Sequence, residues 1–262
     1  MRLEYKYLVS NTDVDRLRNL MLPYLQGDFD YSPSNYYTVR SIYYDTPKLK
    51  YYWEKIEGLS TRKKVRLRGY NQLEEDNVVF LEIKRKHLSR IFKDRSPALY
   101  DNMDELMTTK NIDDLVITEN GFRGSKEDAE KFFHHIHKRS LVPIVNIVYD
   151  REAYFSKFDK SLRITFDRNL RYQIFPSVDK LYDDEKLKPA LINKTILEIK
   201  FGTGFPSWLQ TILTNNHLFK QSLSKYTICI DTEKKYNPLL KANICLTNSI
   251  SNNDYAGEVE VR

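Results

Sequence analysis

The sequence contains the motif Leu-Glu-Ile-Lys twice, as Leu81-Glu82-Ile83-Lys84 and as Leu197-Glu198-Ile199-Lys200. Each copy alternates apolar and charged residues, which is the period of a β-strand, because successive strand side chains point to opposite faces. The same alternation recurs in Val65-Arg66-Leu67-Arg68 and in Leu162-Arg163-Ile164-Thr165. In a single strand such a charged face usually faces solvent. Its repetition in four strands predicts instead a closed antiparallel barrel with a charged interior.

Further strand and helix signals flank these four segments. Strands are expected at 2–9, 37–44, 64–70, 78–86, 144–154, 161–167, 169–175 and 195–201. Helices are expected after Thr12 as N-cap, at 49–53, from Ser125 as N-cap and after Pro206, whereas 223–230 is expected to be a last strand or a helix-to-strand junction.

These signals together predict an α+β fold in one domain, residues 1–235. The fold is expected to be a closed antiparallel β-barrel with flanking helices, because the outward aliphatic faces need a cover. A helical insertion is expected at about 97–142, where the pattern changes to a helical period. The asparagine-rich residues 236–262 are expected to form a mobile tail.

Composition limits the class of protein and its partners. The chain has 262 residues, 42 Lys+Arg against 36 Asp+Glu and a net charge of +6, which favours an anionic partner. Two cysteines, Cys229 and Cys245, favour buried thiols over a disulfide framework and therefore a cytoplasmic location. No apolar run approaches the roughly 18 residues that a membrane span needs. We therefore expect no membrane span in this chain.

A barrel interior that carries both cations and carboxylates suits a phosphate chain with a metal ion. Guanidinium groups form two-pronged bonds to phosphate oxygens, and lysine adds compact positive charge. Glutamates would repel phosphate unless a divalent cation lay between them, and Mg²⁺ or Mn²⁺ prefers such oxygen ligands. The pattern predicts a metal-assisted phosphoryl site.

A series of short motifs carries a resemblance to a known family. They are, in chain order, Glu4-x-Lys6, Ser41-Ile42-Tyr43-Tyr44-Asp45, Arg66-x-Arg68, Glu82-x-Lys84, Arg163 followed by Asp167, Glu198-x-Lys200 and Ser224-Lys225. Over roughly residues 1 to 235 the sequence resembles the VTC domain of the triphosphate tunnel metalloenzymes, a CYTH-like superfamily. The resemblance implies a tunnel of about eight antiparallel strands and transfer of a nucleotide γ-phosphate onto polyphosphate.

The resemblance also assigns roles to individual residues. It implies phosphate binding by Lys6, Arg66, Arg68, Lys84, Arg163, Lys200, Ser224 and Lys225, with looser matches at Lys93, Arg95 and Arg171. It implies catalytic roles for Lys200, Arg66, Arg68 and Glu198, and Mn²⁺ or Mg²⁺ held by Glu198, with Glu82 and Glu4 as weaker candidates.

Two alternatives stay open at this point. The related CYTH triphosphatases open with Glu-x-Glu-x-Lys, whereas this sequence has Arg2 at the first glutamate position, which favours the polymerase. The acceptor can nevertheless be water, giving a tripolyphosphatase or nucleoside triphosphatase, or the chain can be a non-catalytic polyphosphate-binding module. The expected ligands are a nucleoside triphosphate, ATP first, and polyphosphate, with no nucleic acid and with a separate membrane protein as a possible partner.

Overall fold

The computed structural model describes residues 3–30, 32–88, 90–118, 122–202 and 204–236, and it is built around one antiparallel sheet. The strands are β1 (Leu3–Ser10), β2 (Leu25–Gly27), β3 (Tyr36–Asp45), β4 (Thr61–Tyr70), β5 (Val78–His87), β6 (Arg90–Leu99), β7 (Val142–Ser156), β8 (Arg163–Ile174), β9 (Lys188–Pro189) and β10 (Lys194–Phe201). The main path through the sheet is β1-β10-β8-β7-β3-β4-β5-β6, with β2 beside β7 and β9 beside β8. The α+β class is confirmed.

Seven helices accompany the sheet in the described part of the chain. They are α1 (Asn11–Met21), α2 (Lys50–Ile56), α3 (Met103–Thr109), α4 (Ile112–Leu115), α5 (Ser125–Lys138), α6 (Ser207–Asn215) and α7 (Lys225–Tyr236), with short 3-10 turns at Leu22–Tyr24 and Val178–Lys180. No helix among the described residues is long and apolar enough to cross a bilayer.

Three apolar clusters bind the helices to the sheet. Helices α3 and α5 cover the aliphatic face of β4 and β5, where Leu67 and Leu81 are buried beside Phe132. Helices α1 and α6 cover β1, β8 and β10 around Leu17 and Leu197. This burial of the uncharged strand faces is what turns the charged faces inward, because period two leaves a strand no other arrangement.

Helix α7 packs on the opposite, charged side of the sheet. The Tyr226 ring stacks on Tyr43 at 5.4 Å between centroids, and the Tyr226 hydroxyl donates to Asp45 at 2.7 Å. Cys229 and Ile230 are fully buried in the same cluster. The predicted burial of Cys229 is confirmed; Cys245 and the predicted tail, apart from Tyr236, lie outside the described residues.

The predicted closure of the barrel is wrong. Strands β1 and β6 end the sheet, and within the described ranges they are not hydrogen-bonded to each other. Other segments cover both edges: Gln221 N–H donates to the Lys6 carbonyl of β1 at 2.8 Å, and Ile117 N–H donates to the Pro97 carbonyl of β6 at 2.9 Å. These backbone carbonyls of β1 and β6 therefore already have hydrogen-bond partners, which disfavours pairing between the two edge strands.

Several local predictions also need correction. Strand β6 has no counterpart among the predicted strands, and it takes up residues 97–99 of the predicted insertion. Segment 223–230 is not a strand, because α7 begins at Lys225. The two strands predicted at 161–167 and 169–175 are one strand, β8 (Arg163–Ile174), opposite an irregularity in β7. The N-caps of α1 and α5 are Ser10 and Gly124, not Thr12 and Ser125.

Candidate functional site

The ladders place charged side chains of neighbouring strands directly opposite one another on one face of the sheet. On one side, Lys6 of β1 pairs with Glu198 of β10, and Lys200 of β10 pairs with Arg163 of β8. On the other side, Arg66 of β4 pairs with Glu82 of β5. Two charged walls therefore exist, β1-β10-β8 and β4-β5-β6.

The two walls meet across a groove. Glu4 of β1 approaches Lys84 of β5 at 3.8 Å, although β1 and β5 are not neighbours in the sheet. The sheet is therefore strongly curled, with its charged face concave. We call the space bounded by Glu4, Lys6, Arg66, Lys84 and Glu198 the groove.

Glu198 is a deeply enclosed carboxylate on the first wall, with 5% of its surface exposed. Its Oε1 lies 2.6 Å from Lys200 Nζ and its Oε2 lies 3.4 Å from Lys6 Nζ. Burial alone would raise the pKa of Glu198, but the charges of Lys200, Lys6 and Lys225 hold that pKa well below its usual range. Glu198 is ionised at neutral pH.

Glu82 is the corresponding carboxylate on the second wall, and cations enclose it. Arg66 lies at 2.6 Å, Lys93 at 2.8 Å, Arg95 at 3.2 Å and Arg68 at 4.0 Å. Burial would raise the pKa of Glu82, but these charges, led by Arg66 and Arg68, push it well below its usual range. Glu82 thus orders the four cations of its wall, and the geometry favours this role over metal binding.

The donor set in the groove fits a hard divalent cation through Glu198 and Glu4. Lys6 bridges the two carboxylates, with Nζ 2.8 Å from Glu4 and 3.4 Å from Glu198. Mg²⁺ is commonly held by one or two carboxylates plus substrate phosphates. Among the residues that the structure describes, no three His, Cys, Asp or Glu side chains form a cluster that could hold a metal ion by themselves. A phosphate ligand would complete the coordination.

A further cluster of charged side chains lies beside the first wall, where β7, β8 and α7 meet. Arg151 of β7 forms a bidentate pair with Asp167 of β8 at 2.6 and 2.8 Å, and Lys225 of α7 lies 2.5 Å from Asp167. Arg151 and Asp167 are almost completely buried. Helix α7 therefore carries Lys225 into the groove from the open side of the sheet.

The remaining predicted phosphate ligands divide between the groove and other surroundings. Ser224 accepts a hydrogen bond from Lys64 at 3.1 Å inside the groove. Arg163 is on the same face but is held by Asp28 at 2.6 Å and by the Tyr37 hydroxyl. Arg171 pairs with Asp150 at 3.2 Å, in a polar cluster apart from Glu82 and Glu198. The structure brings together all the predicted residues except Arg171.

Comparison with protein families identifies the fold that carries this groove. The model of the VTC domain matches residues 1–234, which is most of the chain.

The chain belongs to the VTC domain family.

Curated relatives match this VTC domain with part of their length. A vacuolar transporter chaperone complex subunit 4 of Schizosaccharomyces pombe is 24% identical over 257 residues, which is 83% of this chain and 35% of that protein. The protein of the same name from Trypanosoma brucei brucei is 27% identical over 153 residues, 51% of this chain and 19% of that protein. The chain thus spans about a third or less of these relatives.

Solved structures with a similar arrangement are more distant. A protein from Pyrococcus horikoshii OT3 superposes with a TM-score of 0.45 at 13% identity and covers 88% of this chain and 99% of its own. A putative adenylyl cyclase from Hippeastrum, described as having a dominant triphosphatase activity, superposes with a TM-score of 0.46 at 12% identity, over 88% and 96% of the two chains.

Sequence reasoning missed three groups of the VTC domain that line its groove. Arg151 lies in the run Asp150-Arg151-Glu152, where alternation places Arg151 on the face opposite to its two acidic neighbours. Lys64 extends the Arg66-x-Arg68 alternation by one step, so the period-two signal was available. Tyr43 lies in the motif Ser41-Ile42-Tyr43-Tyr44-Asp45, but no role was predicted for it; in the structure its hydroxyl accepts from Arg66 at 2.8 Å.

Proposed function

We propose that this VTC domain is a metal-dependent polyphosphate polymerase that transfers the γ-phosphate of a nucleoside triphosphate, ATP first, onto a polyphosphate chain. The observation that carries the proposal is the convergence of two basic walls on a groove that also holds Glu198 and Glu4. A site that only bound polyanions would gain nothing from these carboxylates, because they repel phosphate. Family membership and the names of the curated relatives support the same direction.

The chain's own residues would position the reacting phosphates. Arg66 and Arg68 present guanidinium groups, which bind phosphate oxygens in a two-pronged geometry, and Lys200 faces them from the other wall. Phosphoryl transfer needs donor and acceptor held in line and the developing charge neutralised. Cations on both sides of one groove meet both needs.

The hydrogen bonds within the walls would keep these cations in place. Glu82 holds the Arg66 guanidinium, which also donates to Tyr43, and Ser41 accepts from Arg68 Nε at 3.1 Å. Because the cations are fixed before substrate arrives, little reorganisation is needed when charge develops in the transition state. Lys6, Lys84, Lys93, Arg95, Arg163 and Lys225 would bind the phosphates that do not react.

Glu198 and Glu4 would hold the Mg²⁺ or Mn²⁺ that the family resemblance implies. When bound, such an ion supplies Lewis-acid polarisation of phosphoryl oxygens. Lys6, which contacts both carboxylates, would orient them toward the bound ion. Which of the two metals serves is part of the test.

The acceptor is decided by analysis of chain length. Purified protein is incubated with ATP and Mn²⁺ or Mg²⁺, and the products are separated by gel electrophoresis while free phosphate is measured. Growth of long polymer supports the polymerase, whereas release of phosphate alone makes the domain a triphosphatase. Retention of polyphosphate without either reaction makes it a binding module. Glu75→Gln, an exposed acid outside the groove, is the control variant.

We infer that the domain works in the cytoplasm and passes its product to a separate membrane partner. The curated relatives are named as subunits of a vacuolar transporter chaperone complex, which supports such a partner. Cell fractionation with the tagged protein tests both statements, since a membrane-bound fraction that high salt releases is the expected result. Recovery only in the soluble fraction would contradict the partner.

A further inference from the structure

One end of the groove carries two consecutive rungs of like charge. Lys64 of β4 stands opposite Lys84 of β5, and Arg62 stands opposite Lys86. Directly opposed side chains have Cβ atoms about 4.5–5.5 Å apart, and like charges at such positions are destabilising. The next rung, Arg66 opposite Glu82, is balanced. Along the β4–β5 ladder, the like-charged rungs therefore lie at this end of the groove.

Carboxylates do not offset these cations. Within the described residues, Arg62, Lys64 and Lys86 form no salt bridge, and Lys84 reaches only Glu4, at 3.8 Å. Two of the ammonium groups at this end donate to hydroxyls. Lys64 Nζ donates to Ser224 at 3.1 Å, and Lys55 Nζ of α2 donates to Ser222 at 2.7 Å. Hydroxyls accept these hydrogen bonds without neutralising the charge.

The same residues surround a cavity of about 370 Å³. Seven of its lining residues are Lys or Arg, and the one acid is Glu4. We call it the mouth cavity; Lys55, Arg62, Lys64, Lys86 and Ser224 define it. Burial, and then the charges of Lys6 and Lys84, lower the pKa of Lys64 to about 7. The surroundings of Lys64 therefore make its protonated, charged form unfavourable. An anion in the cavity would relieve this cost.

The spacing of the cations matches a polymer better than a single anion. Arg62, Lys64, Arg66 and Arg68 alternate along β4 on one face, so a cation recurs about every 6.6 Å, two residues of strand rise. Lys84 and Lys86 follow the same period on β5. A ligand that carries charge on every unit can meet these cations one after another, from the balanced part of the groove into the mouth cavity.

We propose that the mouth cavity is a separate anion subsite that holds the part of an inorganic polyphosphate chain extending beyond the phosphates at Arg66 and Glu198. The domain would therefore bind long chains more tightly than triphosphate. The inference rests on the proposed function for its substrate class. It adds a selection by chain length, made by Arg62, Lys86 and Lys55, which lie outside the site described for the reaction.

Equilibrium binding to two ligands tests the subsite. Tripolyphosphate and long-chain polyphosphate are titrated by calorimetry, with EDTA and without nucleotide, into wild type and into the double variant Arg62→Gln/Lys86→Gln. We expect the variant to lose about tenfold in affinity for the long chain, from two weakly screened charge contacts. Its affinity for tripolyphosphate should stay within about twofold.

A matched control removes the same charge elsewhere. Lys110→Gln/Lys138→Gln changes two exposed lysines of the helical insertion and should leave both affinities unchanged. Equal loss for both ligands, equal loss in the control, or no loss overturns the subsite. The double variant should fold, because it removes repulsion; Lys86→Gln alone, with a smaller loss for the long chain, serves as a second variant.

The outcome is separable from the fate of the proposed function. The binding assay contains neither ATP nor metal, so it does not depend on turnover. If the wild type makes no polymer but the double variant loses affinity for the long chain alone, the subsite stands and the polymerase is refuted. If the wild type makes polymer but the double variant shows no such loss, only the subsite is refuted.

Discussion

Replacement of Glu198 by Gln separates a metal-binding role from a structural one. The substitution keeps the shape of the side chain but removes the charge that faces Lys200 at 2.6 Å and Lys6 at 3.4 Å. It therefore removes a metal ligand and leaves two cations less neutralised. The two consequences have opposite effects. Turnover should fall, because it needs the metal, whereas metal-free affinity for an anion should rise, because it does not need the metal and the two cations are less neutralised.

The structure sets the expected magnitudes. Loss of a ligand to the metal should lower turnover by at least about 10²-fold, in the range found when one group that stabilises a transition state is removed. Breaking a buried ion pair costs about 3–5 kcal/mol. The two lysine side chains are 20% and 26% exposed, so about 1–3 kcal/mol of stability is a better expectation.

Metal-free affinity for polyphosphate should rise in the same variant. If the separation between Glu198 and the ligand is taken as about 8 Å, and the effective dielectric constant as about 20, removal of one negative charge favours an anion by about 2 kcal/mol before screening. Screening reduces this to about a tenfold gain in affinity. Polymer synthesis, calorimetry with EDTA and thermal melting are measured on one preparation. Normal turnover, or weaker metal-free binding in a folded variant, would refute the assignment of Glu198.

Three other substitutions test separate parts of the site. Asp167→Asn leaves Arg151 buried without its partner, so we expect a loss of about 3 kcal/mol and a fall in Tm of about 6–12 °C. Lys64→Met should flatten the pH dependence of metal-free polyphosphate binding. In wild type this binding should weaken as the pH rises above 7, because the Lys64 pKa of about 7 makes the amine neutral there; an unchanged profile would contradict this. Arg171→Gln should leave turnover within about twofold, since Arg171 pairs with Asp150; a large loss would place it in the site.

The alternating strands could be predicted because period two leaves a strong mark on the sequence. In β4, β5 and β10, aliphatic residues such as Leu67, Leu81 and Leu197 alternate with charged ones, and the buried set lies under the helices as expected. The same alternation placed Arg66, Lys84 and Glu198 on one face. Local patterning thus reaches the two walls of the groove.

Strand β6 could not be predicted, because its sequence lacks the usual marks of a strand. The run Lys93-Asp94-Arg95 is charged on both faces, and Pro97 removes a hydrogen-bond donor from the ladder. Proline is tolerated here because β6 is an edge strand, and its carbonyl is bonded to Ile117. Charge on both faces is tolerated because Asp94 binds Arg85, while Lys93 and Arg95 bind Glu82.

Helix α7 shows how tertiary packing overrides local preference. Its aromatic and β-branched residues suggested a strand, since such residues favour sheets. In the structure Tyr226, Cys229, Ile230 and Glu233 are buried at helical spacing against β3, β7 and β8. The lack of closure has a similar cause. The segments that contact the edges of β1 and β6, around Gln221 and Ile117, lie elsewhere in the chain. The sequence pattern within either strand does not predict these contacts.

A crystal structure of the protein with tripolyphosphate and Mn²⁺ tests the central claim most directly, namely that the curled sheet holds a phosphate chain between its two charged walls. We predict density for phosphates against Arg66, Lys84 and Lys200, with the metal against Glu198. Phosphates bound only to the outer surface, with the groove between Glu4 and Lys84 empty, would contradict it.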